Sequence, residues 1–133
     1  MKLLVKVVGA LAVVATSFIA TLWFLDRNGP ACPAGRIVYL DRPFAKFSPD
    51  GVAYVKDLTE TDIPGDAADA PSRSRLVLCE DDYMIGAGHS VHADISKQGR
   101  GRYSHWGSSV VFSASDNSNP NTNGRSYVAV LPR

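Results

Sequence analysis

"GRYSHWGSSVVFSASDNSNPNTNGRSYVAV" (Gly101–Val130) sets the architecture of this chain. RYSHW (Arg102–Trp106), SVVFSAS (Ser109–Ser115) and SYVAVLP (Ser126–Pro132) are rich in aromatic and β-branched residues. They are bounded by glycine and by Asp/Asn/Ser clusters, so they read as strands. Between the last two lie eleven residues, Ser115–Arg125, without a large apolar side chain. Asp, Asn and Ser side chains bond their own backbone, so such a loop holds a shape without a core. Two readings stay open: a self-capped connection, or a preorganised polar surface offering amides, hydroxyls and an arginine.

Upstream, RIVYLDR (Arg36–Arg42) and VAYVKDL (Val52–Leu58) read as further strands, with SPDG (Ser48–Gly51) as a turn. RLVLCEDDYMIG (Arg75–Gly86) reads as a hairpin. Its arms are Leu76–Cys79 and Tyr83–Ile85, and Glu80-Asp81-Asp82 is its solvated tip. GHSVHADISKQGRG (Gly88–Gly101) reads as a short helix capped by Ser90, with Val91 and Ile95 stacked and Gly99 at its end. Thr59–Arg75 contains Pro64, Gly65 and Pro71 among acids, and reads as an exposed, mobile loop. These elements imply a mainly β fold: a small β-sandwich or barrel-like domain with at most one short helix.

The apolar residues are unevenly spread. Val7–Leu25 carries no charge over nineteen residues. As a helix it would measure roughly 28 Å, close to the hydrocarbon thickness of a bilayer. Lys2 and Lys6 precede it, which places the N-terminus in the cytoplasm under the positive-inside rule. A cleaved signal peptide is the alternative, although Leu-Trp-Phe-Leu makes a poor cleavage site. The expected organisation is therefore an N-terminal membrane anchor or signal peptide (1–27), a juxtamembrane link (28–35) and a β-rich extracytoplasmic domain (36–133). The expected location is the inner membrane, single pass, with the C-terminal domain in the periplasm or outside the cell. In that oxidising setting Cys32 and Cys79 are expected to pair. The whole chain has a net charge of +1. A near-neutral domain is not the strongly basic one that nucleic-acid binding requires.

Three constellations carry candidate chemistry. Asn119, Asn121, Asn123 and Gly124 reproduce the start of a calcium-loop ladder, but Val130 stands where a bidentate Glu is needed. The three histidines, His89, His92 and His105, lie within seventeen residues and would form a zinc site only with His89 on the helix, where Ser90 excludes it. Ser90, His92 and Asp94, or Ser104 with His105, have the residue types of nucleophilic catalysis. Neighbours on one strand point to opposite faces, however, and no G-x-S-x-G elbow is present. No cofactor or metal is called for.

The stretch Gly88–Tyr127 resembles a pattern of small bacterial β-modules. It runs G-x-G-R-[FY]-S-H-W, a short strand, then F-S-[TA]-S-D-N-S-[DN]-P-x-T-N-G-R-x-Y, and HSVHADI is similar too. The resemblance implies a companion of bacterial cell-surface glycan proteins and carries over no catalytic residue. The expectation is thus a membrane-anchored binding module for a glycan or an anionic cell-surface polymer. Arg102, His105, Trp106, Asp116, Asn117, Asn123 and Arg125 are its candidate ligand-binding residues: arginines for anionic groups, Asn and Asp for hydroxyls, His105 or Trp106 as the floor. A structural envelope protein docking onto a partner protein is the second reading, and a Ser/His hydrolase or metal enzyme the third.

Overall fold

The computed structural model describes residues 29–133; the Val7–Leu25 stretch and the expected anchor lie outside them. In chain order the elements are β1 (Gly35–Tyr39), β2 (Ala45–Lys46), β3 (Tyr54–Asp57), β4 (Val77–Glu80), β5 (Tyr83–Met84), α1 (His92–Lys97), β6 (Tyr103–Trp106), β7 (Ser109–Phe112) and β8 (Tyr127–Pro132). They build two four-stranded sheets, ordered β1-β8-β4-β5 and β2-β3-β7-β6. Every strand pair is antiparallel. The mainly β expectation with one short helix holds for the described residues.

Alternation along the strands explains the layers. Tyr54, Tyr103, Val110 and Phe112 point from the second sheet toward Leu78, Tyr127 and Ala129 of the first, and all are buried in one core. Phe44 closes it edge-on against Phe112 and Tyr127, with ring centroids 5.1 and 5.7 Å apart. The opposite face of the second sheet carries Val55 and Val111, which Ile95 of α1 covers. Each such fully buried side chain contributes about 1.5–3 kcal/mol. Ser104 pairs with Val111 in register, so Ser104 and Trp106 share this helix-bearing face, while His105 faces the other way beside Val110.

The helix begins differently from expectation. Its N-cap is Val91, without a side-chain cap. Ser90 Oγ donates instead to the Ala87 carbonyl, 2.8 Å away. The cause is a competing pairing: Tyr103 N–H donates to Ala87 O and Ser90 N–H to Tyr103 O, which draws Ala87–Ser90 alongside β6. Val91 is therefore exposed, while Ile95 is buried. The helix end is as expected, with Gly99 at φ +62°.

Two segments expected to be solvated are built into the fold. Within Thr59–Arg75, Ile63, Asp66 and Ser74 are buried. Gly65 lies against the turn after β6: a Cβ there would stand 2.1 Å from the Gly107 carbonyl oxygen. This close approach lets Asp66 N–H donate to His105 O and Gly107 N–H to Asp66 O, at 2.7 and 3.0 Å. Glu80, assigned to a hairpin tip, is the last residue of β4 and is buried.

Cys32 and Cys79 form a disulfide. The segment ahead of β1 also runs beside β5, where Met84 N–H donates to Pro30 O and Cys32 N–H to Asp82 O. In the chain-entropy picture, closing a loop of this length stabilises the fold by about 4 kcal/mol. Among the described residues no helix is long and apolar enough to cross a membrane.

Candidate functional site

Two polar clusters stand out, at different places on the molecule. The first joins the end of β4 to the Ser115–Arg125 loop. Arg125 donates to Glu80 at 2.8 Å and to both carboxylate oxygens of Asp116, at 3.0 and 2.6 Å. Glu80 also accepts from Ser115 N–H, Ser115 Oγ and Tyr127 Oη, at 2.9, 2.6 and 3.1 Å. The Arg125 hydrogen bond holds the Asp116 carboxyl well below the usual carboxylate range, and Asp116 in turn raises Arg125. Burial pushes the Tyr127 phenol well above its ordinary value. A cleft of about 500 Å³ adjoins this cluster, lined also by Arg100 and Tyr83. The guanidinium facing it is already shared between two carboxylates.

The asparagine ladder is consumed by the backbone. Asn119 Oδ1 accepts from Asn121 N–H, Asn121 Oδ1 from Phe44 N–H, and Asn123 Oδ1 from Arg125 N–H, at 2.9, 2.8 and 3.1 Å. These are Asx turns and one cross-loop tie, and they leave no converging set of oxygens for a hard cation. The self-capped reading of the loop describes its hydrogen bonding.

The second cluster centres on Asp66, whose side chain is 1% exposed. Its Oδ1 accepts from Ser74 N–H at 2.8 Å, and its Oδ2 meets His89 Nδ1 at 2.5 Å. His89 has φ +55°, in the left-handed region that costs a non-glycine residue on the order of 1 kcal/mol. With Nδ1 committed to Asp66, the ring presents Nε2 as its remaining polar atom. His105 Nδ1 meets Ser74 Oγ at 2.8 Å. Burial holds His105 below its ordinary value, which Asp66 partly opposes.

Asp66, Pro71, His89, Ser90, Val91, His92, Ser104 and Trp106 line a cavity of about 420 Å³. Trp106 is 43% exposed. His92 stands edge-on to it and to Phe47, with centroids 6.3 and 5.5 Å apart. Two buried side-chain polar atoms have no hydrogen-bond partner among the described residues, His92 Nε2 and His105 Nε2. Both belong to this cluster.

The seven candidate residues thus divide. Asp116, Asn123 and Arg125 meet in the first cluster. Asn117 ties the loop to the end of α1, accepting from Arg100 N–H and donating to Gln98 O. Arg102 donates to Gly99 O at 3.0 Å. His105 and Trp106 belong to the second cluster, on opposite faces of β6. The serine–histidine sets do not assemble: Ser90 is spent on Ala87, and Asp94 accepts from Gln98. Among the described residues no three His, Cys, Asp or Glu side chains are placed to share a metal ion. Sequence reading missed Asp66 and Ser74 and weighed His89 only as a zinc ligand; the available signal was Pro64-Gly65 directly before Asp66, a turn placing a carboxylate against another chain segment. No family model matches the chain, and no curated protein or solved structure does.

Proposed function

We propose that the chain is a binding module for an uncharged glycan, which it takes up in the cavity between Trp106 and His89. The observation that carries this reading is the exposed Trp106 in a cavity it shares with the His89 imidazole, which a buried carboxylate orients. An aromatic face covers the C–H side of a sugar ring, and convergent polar atoms read its hydroxyls. Among the described residues no Lys or Arg lines the cavity, so its chemistry suits neutral groups over an anionic polymer. The Arg125 cluster, with its donors committed, serves in this reading as scaffold.

The module would be held at a membrane by the Val7–Leu25 stretch and would work outside the cytoplasm. The Cys32–Cys79 bond supports an oxidising compartment. The test is a glycan array with the full chain in detergent: Trp106→Ala removes binding, and Asp116→Asn leaves it intact. Binding unaffected by Trp106→Ala would refute the assignment.

Docking onto an envelope protein is the second reading. Ile37 and Tyr39, 51% and 71% exposed on edge strand β1, favour it. Cross-linking from position 39 to a single membrane protein, with no glycan bound on the array, would establish it in place of the first.

A further inference from the structure

We propose that the same cavity hydrolyses a carboxylic ester, such as an O-acyl group on the glycan, with His89 as general base; the glycan as acyl carrier rests on the reading above, the chemistry does not. Asp66 accepts His89 Nδ1–H, which fixes the tautomer and leaves Nε2 as the proton acceptor of a side chain that lines the cavity. Asp66 is itself held by Ser74 N–H and is shielded from water, so it is a positioning residue. The left-handed backbone at His89 is strain of the kind retained at working sites.

The nucleophile is water. His89 Nε2 takes one proton from it as the water oxygen bonds to the acyl carbon. Negative charge gathers on the carbonyl oxygen as this bond forms. The tetrahedral intermediate then expels the alkoxide, which recovers the proton from His89. The products are a carboxylic acid and an alcohol, and no redox partner or metal is needed.

Two features select esters. An alkoxide needs only the proton that His89 has just taken, whereas an amide nitrogen requires stronger acid assistance. Phosphate esters would want cations, and among the described residues no Lys or Arg lines the cavity. Val91 and Pro71 supply an apolar wall for a short acyl chain.

The test uses the full chain with 4-nitrophenyl acetate and O-acetylated chitotriose as probes. The expected result is release of acetate above buffer, with a solvent deuterium isotope effect. His89→Gln should slow it by about a hundredfold or more, with an unchanged melting curve. No release from either probe, or equal rates for wild type and His89→Gln, overturns the proposal. Because 4-nitrophenyl acetate carries no sugar, a blank glycan array would sink the glycan reading without touching this one.

Discussion

The Arg125 cluster and the Asp66 cluster differ in what their polar atoms lack. Around Arg125, charge is dense but committed: a guanidinium shared by two carboxylates, a glutamate with four donors, asparagine oxygens taken by backbone N–H groups. Around Asp66, polar atoms are fewer and two are unmatched. A low-dielectric site rewards partners and penalises their absence, so the first arrangement holds a structure together, and the second is the one to which the proposed function assigns a ligand. Density of Asp, Asn and Arg in a sequence is a guide to hydrogen bonding, and not by itself to binding.

Substitutions sharpen this contrast. The largest effect is expected at Glu80. Glu80→Ala strands Arg125, Tyr127 and Ser115 donors at a buried position and should destabilise the fold by about 3 kcal/mol. Urea unfolding measures it, and a loss under 1 kcal/mol would show that the cluster is not structural. Trp106→Ala should do the reverse, weakening glycan binding about tenfold or more while changing stability by roughly 0.5 kcal/mol or less. Isothermal titration and thermal melting on one sample separate the two.

Asp116 should matter less, because its side chain is about half exposed. Asp116→Asn is expected to cost below about 1 kcal/mol at neutral pH. Its folded-state value lies below the ordinary 3.8. The contribution is therefore complete above roughly that pH and fades as pH falls through the folded value. The gap between wild type and variant should narrow in acid, as melting between pH 7 and pH 2 will show.

His105 gives the gentlest effect, in a different window. Burial disfavours its charged form, so the unfolded chain binds the proton first. Stability is full above its ordinary 6.5 and declines as pH falls from there toward the lower folded value. His105→Asn should flatten that decline, and an unchanged slope between pH 7 and pH 5 would remove His105 from the account.

The strands were legible because their signal is local. Val110 and Phe112 alternate with Val111, and both runs around Gly107-Ser108, read as strands, form strands that pair with each other. Gly99 likewise announced the helix end. The site was not legible, because its residues meet through long-range backbone pairing. Asp66 lies 39 residues before His105 and is placed by the Gly65–Gly107 contact, which leaves no periodic trace. Ser90 shows the same conflict at small scale: a good capping residue loses its cap because β6 claims the neighbouring backbone. Glu80 looked solvated among three consecutive acids until Arg125 and Tyr127 arrived from 45 and 47 residues away.

The most direct measurement is an NMR titration of the full chain in detergent with the glycan that binds best on the array. It follows the Trp106 indole N–H and the Arg125 Nε–H together. The account predicts a saturable shift at Trp106 and none at Arg125. A shift confined to Arg125 would place the ligand on the polar loop and contradict it.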